Sequence, residues 1–396
     1  MSTNITTNIS KVRIASIDVF RALTMFLMMW VNDFWSVSDV PHWLEHAARR
    51  EDFLGLSDIV FPFFLFIVGM SIPHALEKRF AQGDSPIKVA FHILIRFTAL
   101  LVMGLFTANL AAGVDPSIGM TKPIFAIITV SCFFLIWNVY PKVEGNKKWL
   151  FRALQLTGIA ALIFMAVIYR DARGREFHIG RHILGSIGWA YVICAFVYLF
   201  ARHRIKYEIA AWMLIVALSM ATAAGYLGSF GTLLPGRWNL QAFTMSGVVL
   251  SLFFTQFAGK GSPKKFLLSM AGLGALVLII GLFLLRRFWI ISKISNTPTW
   301  LFVCVGIAIM FYVLLYWLVD IKGKKSWFRA ISPAGSATLT CYFTPHYLYA
   351  LFTLIGLTFP AWMTAYPQGL IKCLAFAFLT MGMTALMVKM KMKLRV

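Results

Sequence analysis

Residues 30–70, WVNDFWSVSDVPHWLEHAARREDFLGLSDIVFPFFLFIVGM, place a polar loop between two apolar runs. Side chains that can carry a proton or form a hydrogen bond gather in and beside this loop. They are Asn32, Asp33, Asp39, His42, Glu45, His46 and Asp58. Elsewhere the sequence keeps such groups farther apart. The pattern predicts a functional loop over residues 37–56 at one membrane surface, with His46 at its centre.

The composition is that of a membrane protein. The chain has 396 residues, of which 60% are hydrophobic and 13% charged, whereas a soluble domain is nearer half apolar and a quarter charged. Apolar runs of about 20 residues recur along the whole length, and each can cross a hydrocarbon core of about 30 Å. We therefore predict an all-α, polytopic transmembrane helical bundle that forms a single domain over residues 1–396.

The apolar runs predict about twelve spans, with ten to twelve as the range. The segments are 19–36, 57–77, 88–110, 123–140, 150–169, 184–201, 208–225, 244–258, 266–285, 300–319, 336–358 and 368–388. A short polar tail, residues 1–16, precedes the first of them. It is not followed by a small-residue cleavage site, so we expect no removable signal peptide.

The basic residues indicate an orientation. The net charge is +22, and Lys and Arg favour alternate loops by about two to one, as the positive-inside rule describes. Both termini are then cytoplasmic, and the loop 37–56 is extracytoplasmic. We expect an integral membrane protein that contacts lipid, with a homodimer as an open option. Membrane topology accounts for the distribution of these basic residues between the loops, so the positive net charge does not predict a nucleic-acid partner.

Several common chemistries lack a sequence signature. There is no Walker A sequence, no GxGxxG after a strand and no HExxH pair, so ATP-driven pumping and zinc hydrolysis have no support. The five cysteines all lie inside apolar runs and form no CxxC pair. The sequence therefore predicts no disulfide framework and no metal site.

His46 is the strongest catalytic candidate. Its side chain can accept and return a proton near neutral pH. Glu45 and Asp58 are close enough in sequence to hold its second ring nitrogen. The residues alone are equally consistent with a surface histidine packed on the loop, and Asp58 is also well placed to cap the helix that it begins.

Asn32 ends the first apolar run, where an unpaired amide would be costly in lipid. One interpretation is a donor that stabilises a carbonyl oxygen gaining negative charge, and the other is an amide that caps its own helix. Glu45, Asp33 and Asn296 are assigned to substrate binding. For Asn296 the alternative is a turn before Pro298.

Basic residues toward the predicted inner surface are candidates for binding a phosphate-bearing cofactor. His92 and Arg96 are four residues apart on one helix face, and an arginine at that depth commonly marks a ligand or a pathway. Arg96 could instead extend to the interface. Arg21 is three residues from Asp18, which favours a structural ion pair. We assign Arg21, Arg79, Arg96 and His92 to cofactor binding.

The stretch RIASIDVFRAL…VNDFW…LEHA…SDIVFPFFLFIVGMSI resembles the start of the heparan-α-glucosaminide N-acetyltransferase family and its bacterial relatives. The residues that carry this resemblance are Asp18, Phe20 and Arg21, then Asn32, then His46 with Ala47, and then residues 58–64. The later stretches ISKISNTPTWLF and PAGSATLTCYFTPHYLYA are similar to further parts of the family. The resemblance is specific mainly in the first 75 residues.

This resemblance implies a transmembrane acetyltransferase of the acyltransferase class, in a bacterial inner membrane. Acetyl would pass from cytosolic acetyl-CoA to the amine of an extracytoplasmic glucosamine-type sugar. It also implies that His46 is the catalytic histidine and that Asn32 matches the family's asparagine. Direct transfer and an acetyl-histidine intermediate both remain open.

Two other functions remain open at this point. The first is an O-acyltransferase of an envelope glycan, because related transmembrane acyltransferases begin with a similar D-x-[LF]-R pattern. The second is a proton-coupled small-molecule transporter with His46 and Arg96 as relay groups. Transporters often contain paired broken helices in two related halves, and the sequence shows no such pairing.

Overall fold

The computed structural model describes residues 15–141, 146–180, 182–202, 204–257 and 262–396. Within these ranges every regular element is helical, and the only strand-like pairings are isolated bridges. The first helix within the described ranges begins at Ala15, two residues inside the predicted polar tail. The rest of that tail lies outside the described residues. The all-helical prediction is confirmed for the described part of the chain.

Twelve long helices are labelled here in chain order. They are α1 (Ala15–Asn32), α2 (Leu56–Ala81), α3 (Pro86–Ala112), α4 (Lys122–Trp137), α5 (Asn146–Ile168), α6 (Ile183–Ala201), α7 (Ile205–Ala223), α8 (Asn239–Phe257), α9 (Pro263–Ile279), α10 (Pro298–Tyr316), α11 (Thr338–Leu354) and α12 (Gln368–Lys389). Each predicted span overlaps one of these helices.

Within the described ranges, nine helices are long and apolar enough to cross a membrane. α1, α4 and α11 are the long helices outside that group, with 18, 16 and 17 residues. At about 1.5 Å per residue, 16 residues extend only about 24 Å, which is short for a hydrocarbon core of about 30 Å. The membrane class is therefore supported, while the count of about twelve spans and the cytoplasmic termini stay predictions.

The described residues fall into two compact units. The first contains those in Met1–Thr24, Val40–Phe97 and Ser186–Arg329, and the second contains those in Met25–Asp39, Thr98–Gly185 and Ala330–Val396. The predicted single domain over the whole chain stays a prediction. The loop of interest from Val40 onward and the helices α2, α7, α8, α9 and α10 belong to the first unit.

In the first unit, α2 and α8 pack backbone against backbone. A Cβ atom added to Gly69 would lie 1.8 Å from the carbonyl oxygen of Thr244, and one added to Gly247 would lie 1.9 Å from that of Phe66. Only glycine allows this approach. α8 is buried along most of its length, so it forms the centre of this unit.

In the second unit, α4 packs on α11. The rings of Phe133 and Phe343 are 5.0 Å apart, and the hydroxyls of Ser131 and Tyr347 are 3.0 Å apart. Aromatic packing of this kind buries large apolar surfaces and adds about 0.5–1.5 kcal/mol per pair beyond area burial.

Candidate active site

The loop that carries His46 is tied to the first turn of α2. The backbone N–H of Leu56 donates to the carbonyl of Trp43 at 2.8 Å. The backbone N–H and the hydroxyl of Ser57 both donate to the carbonyl of Leu44, at 3.2 Å and 2.5 Å. The first N–H groups of a helix have no partner within the helix, and here the loop satisfies two of them. This pairing holds His46 beside the N-terminus of α2.

His46 and Asp58 form a hydrogen-bonded pair. Nδ1 of His46 lies 2.7 Å from Oδ1 of Asp58. The Asp58 side chain is 1% exposed, whereas the His46 side chain is 51% exposed. Oδ2 of Asp58 accepts hydrogen bonds from the backbone N–H groups of Ala47, at 2.9 Å, and Gly55, at 3.4 Å. Asp58 therefore occupies a fixed position.

This geometry defines a tautomer. A carboxylate only accepts hydrogen bonds, so Nδ1 of His46 carries the proton that it donates to Asp58. The lone pair of a neutral imidazole then lies on Nε2. A ring that is anchored at one nitrogen and half exposed can act through the other as a base or as a nucleophile.

Lys293 completes this cluster, and the sequence-based reasoning did not identify it. Its Nζ atom lies 3.1 Å from Nδ1 of His46, 3.8 Å from Oδ1 of Asp58 and 3.4 Å from the carbonyl oxygen of Ser57. Burial lowers the pKa of Lys293, while the carboxylate of Asp58 acts in the opposite direction. One feature of the sequence could have pointed to Lys293. It lies in a loop that is predicted to be extracytoplasmic, where lysine is less common than in cytoplasmic loops.

The segment that carries Lys293 is attached to the His46 loop by further hydrogen bonds. Asp52 accepts from Nε of Arg286 and from the backbone N–H of Ile291, both at 2.8 Å. The hydroxyl of Ser292 donates to the carbonyl of Arg49 at 3.2 Å. These contacts join two segments that are more than 200 residues apart in the sequence, and they place Lys293 beside His46.

The start of α10 contacts the same site. Thr297 caps α10, since its hydroxyl accepts from the backbone N–H of Trp300, and Pro298 provides the first helical residue. Nε1 of the fully buried Trp300 donates to the backbone carbonyl of Asp58 at 3.2 Å. The ring of Trp300 also packs on Phe243 of α8, with centroids 4.9 Å apart.

The other polar residues of the loop have different surroundings. Glu45 is exposed, and its carboxylate makes no hydrogen bond to any described residue. Thus Asp58, not Glu45, contacts the second nitrogen of His46. His42 pairs with Glu51 at 2.5 Å. The backbone N–H of Ala48 and the side chain of His42 lower the pKa of Glu51, and burial opposes them.

Asn32 and Asp33 belong to the second unit. Asn32 is the last residue of α1, and its side chain is exposed. Asp33 is buried; it accepts a hydrogen bond from the hydroxyl of Tyr349 at 2.8 Å and lies 3.9 Å from Nζ of Lys372. These partners hold the carboxylate of Asp33 within the second unit. The predicted oxyanion role of Asn32 and the predicted substrate role of Asp33 stay predictions.

Asn296 lies three residues after Lys293 in the turn before α10. Its backbone adopts a left-handed conformation, with φ of 52°, which asparagine tolerates better than most residues. Its backbone carbonyl accepts from the side-chain amide of Asn239, and its own N–H donates to the carbonyl of Lys293. This conformation agrees with the alternative prediction, a turn before Pro298. The predicted contact between Asn296 and a sugar stays a prediction.

Each arginine assigned to cofactor binding has a separate local partner. Arg21 bonds to Asp18 at 3.2 Å and to the hydroxyl of Ser71 at 2.7 Å. The other two are Arg79, which pairs with Asp84 at 3.0 Å, and Arg96, whose guanidinium lies 4.5 Å from the ring centre of Tyr191. His92 is half-buried one turn before Arg96. Their role toward a cofactor stays a prediction.

Among the residues described, no group of three or more His, Cys, Asp or Glu side chains is arranged to hold a metal ion. All five cysteines are unpaired and buried. The His46 cluster therefore consists of one imidazole, one carboxylate and one amine. An imidazole and an amine can both transfer protons.

Comparison with known protein families gives a match that covers the site. A family model described as "Domain of unknown function (DUF5009)" matches residues 13–223, slightly more than half of the chain. The chain belongs to this family. The matched region of this DUF5009 member includes His46 and Asp58, while Lys293 lies beyond it.

The curated relatives are distant. The heparan-alpha-glucosaminide N-acetyltransferases of Homo sapiens and Mus musculus are each 31% identical to this DUF5009 member over 98 residues. The match covers 24% of this chain and 14% of each relative, so the chain spans only a small part of their length. The resemblance found in the sequence is thus confirmed as a distant relation.

Proposed function

We propose that this protein is a membrane-embedded acyltransferase in which His46 is the catalytic residue and Asp58 orients it. The proposal rests on one observation: a half-exposed imidazole is held through Nδ1 by a buried carboxylate, which leaves Nε2 free to react. The distant similarity to two N-acetyltransferases supports the acyl-transfer class. Acetyl-CoA is the proposed donor, and the amine of a glucosamine-type sugar is the proposed acceptor.

In direct transfer, the acceptor nitrogen attacks the thioester carbonyl while Nε2 of His46 takes the proton that this nitrogen loses. The C–N bond forms and the C–S bond breaks. The proton then passes from His46 to the departing thiolate, giving CoA and the N-acetyl sugar. The Asp58 carboxylate stabilises the imidazolium that exists between these steps.

In the covalent route, Nε2 itself attacks the thioester carbonyl and the C–S bond breaks, forming acetyl-His46 and the CoA thiolate. The acceptor amine then attacks acetyl-His46, the N–C bond to the imidazole breaks, and the amine proton neutralises the thiolate. The two routes differ in one measurable property. Exchange of label between acetyl-CoA and CoA without an acceptor is expected only for the covalent route.

The proposed donor enters from the cytosol, and the proposed acceptor lies on the other side of the membrane. Arg21, Arg79, Arg96 and His92 are the residues assigned to the CoA phosphates, since guanidinium groups form paired hydrogen bonds with phosphate. Glu45 and Asn296, which lie in the same unit as His46, are assigned to the sugar.

The decisive experiment measures acetyl transfer from labelled acetyl-CoA to glucosamine by the purified full-length protein in lipid nanodiscs. We expect His46→Ala to lower the rate by about 10²–10⁴-fold, the usual contribution of a general acid–base group. His42→Ala, a change at an exposed histidine of the same loop, should retain most of the rate. Unchanged transfer by His46→Ala would remove His46 from the mechanism.

The same assay separates the alternatives. Products acetylated at hydroxyl groups but never at amines would favour an O-acyltransferase of glycans. Uptake of substrate into liposomes without acetyl-CoA would favour a transporter.

The orientation has its own test. All five native cysteines are buried, so Glu45→Cys introduces one exposed thiol into the loop. A membrane-impermeant maleimide should label it in intact cells. Labelling only after permeabilisation would place the loop in the cytosol and overturn the transmembrane version of the proposal.

A further inference from the structure

We propose that Lys293 is a positioning residue that balances the charge of Asp58 and so keeps His46 in the neutral, Nε2-reactive form. Its importance for catalysis rests on the proposed function, whereas its effect on the protonation of His46 does not.

The distances allow one arrangement of protons when His46 is neutral and bonded to Asp58. Oδ1 of Asp58 is the nearer partner of Nδ1, at 2.7 Å, so the hydrogen on Nδ1 points to that oxygen. Lys293 Nζ, at 3.1 Å from Nδ1, cannot then donate to this nitrogen. The ammonium instead faces Oδ1 of Asp58 at 3.8 Å and the carbonyl oxygen of Ser57 at 3.4 Å.

The negative charge of Asp58 explains why the site needs Lys293 as a third group beside Asp58 and His46. A buried carboxylate in contact with an imidazole favours the imidazolium, because an opposite charge within about 4–6 Å stabilises the charged form. An imidazolium has no lone pair with which to accept a proton or attack a carbonyl. The Lys293 ammonium provides the opposite charge for Asp58, so the pair is neutral and His46 can remain neutral beside it.

Lys293 is held in position, unlike an ordinary surface lysine. Its side chain is only 25% exposed, and it lies in a compact turn. In this turn the N–H of Thr297 donates to the carbonyl of Ser292, and the N–H of Asn296 donates to that of Lys293, both at 3.1 Å. Asp52 secures the preceding residues through Arg286 and Ile291.

The groups around the cluster come from several elements. Asp58 belongs to α2 and Lys293 to the turn before α10. Cys304 of α10 is fully buried and lies within electrostatic range of both. Glu51, which pairs with His42 in the loop, lies within range of Asp58. In this set the cation nearest to Asp58 is Lys293, at 3.8 Å.

The test measures the protonation of His46 without requiring activity. Diethyl pyrocarbonate modifies only the unprotonated imidazole, and mass spectrometry of the full-length protein in nanodiscs quantifies modification at His46 as a function of pH. We expect Lys293→Met to move the midpoint of this profile upward by about one pH unit. Lys293→Arg keeps the charge and should leave the midpoint near that of the wild type.

A double variant distinguishes charge balance from a purely structural role. Asp58→Asn alone should move the midpoint downward, because Lys293 then faces His46 without a counter-charge. Combining it with Lys293→Met removes both charges and should return the midpoint toward the wild-type value. A structural defect would not be corrected by a second substitution at the same site.

Two further measurements serve as controls. His178 is an exposed histidine of the second unit, and its modification in each variant shows that the reagent is active and that the protein is folded. Arg286→Gln tests whether loss of the contact between Arg286 and Asp52 alone changes the pH profile of His46. An unchanged midpoint in Lys293→Met, with normal modification of His178, would overturn the inference. So would an upward shift in Arg286→Gln as large as that in Lys293→Met. If the protein transfers no acetyl group, the midpoints still decide the question.

Discussion

Gly55 and Glu45 approach each other so closely that a Cβ atom on Gly55 would lie 1.8 Å from the backbone carbonyl oxygen of Glu45. This oxygen immediately precedes His46 in the chain. A side chain at position 55 must therefore displace the loop at the residue next to the proposed catalytic group. The contact shows why the loop needs a glycine directly before α2.

We expect Gly55→Ala to lower acetyl transfer by about 10²-fold, because a misplacement of about 1 Å can cost that much in rate. The matched control is Gly382→Ala in α12, where no atom lies within 4 Å of the added Cβ. Initial rates with labelled acetyl-CoA provide the measurement. Equal rates for both variants would contradict the close contact.

Asp58→Asn is expected to lower kcat by about 10²–10⁴-fold with a smaller change in KM. The amide nitrogen of the new side chain can donate to Nδ1 of His46, which moves the ring proton to Nε2 and removes the reactive lone pair. Glu51→Gln, at a carboxylate of the same loop that pairs with His42, is the control. A fall in rate of the same size in that control would show that loop charge, rather than the His46 tautomer, is responsible.

The close packing of α2 on α8 predicts a stability effect. Because the Cβ of Gly247→Ala would lie 1.9 Å from the Phe66 carbonyl oxygen, the two backbones must separate, and overpacking of this kind costs about 1–3 kcal/mol. Thermal unfolding in detergent should show a lower Tm for this variant than for Gly272→Ala, whose new methyl group meets no atom within 4 Å. Equal Tm values for the two variants would argue against the close packing of α2 on α8.

Acid should open the turn at residues 169–178 in the second unit. The backbone N–H of Arg175, then its guanidinium and the N–H of Arg173, lower the pKa of Asp171 from 3.8 to about 2, against the opposing effect of burial. A lowered carboxyl pKa means that the stabilisation is fully present above pH 3.8 and disappears as the pH falls toward 2.

Hydrogen–deuterium exchange, corrected for intrinsic rates, should therefore show protection of this turn at pH 5 that is largely lost near pH 2. Asp171→Asn lacks the negative charge and the second acceptor oxygen of Asp171, whose Oδ2 lies 2.7 Å from Arg175 Nε, so this variant should exchange faster already at pH 5. Protection that is unchanged at acid pH in the wild type would refute the assignment.

Much of the helical architecture could be predicted from hydropathy. An apolar run of about 20 residues in a membrane must satisfy its own backbone hydrogen bonds, and the α-helix does this locally. Each predicted span accordingly overlaps a helix, although the nine helices that meet both length and hydropathy requirements in the described ranges leave the number of spans open. The shortest predicted span, 244–258, corresponds to α8, which has 19 residues and is one of these nine helices.

The site could be predicted only in part. His46 and Asp58 are twelve residues apart on either side of a helix start, so their contact follows from a short loop that folds back on α2. Asp33 is different, since its carboxylate is buried and contacts Tyr349 and Lys372, which are more than 300 residues away in the sequence. Nothing in the neighbouring sequence indicates that burial.

The order of apolar and polar residues by itself determined that this chain forms helices of membrane type and that His46 lies in a polar loop between two of them, because backbone hydrogen bonding in a helix depends on near neighbours. Only the tertiary structure decided which groups surround that histidine. Lys293 is 247 residues from His46 in the sequence, and it reaches the ring only because Asp52, Arg286 and the start of α10 fold onto the loop. The charge at a site depends on distance in space, and no local pattern records it.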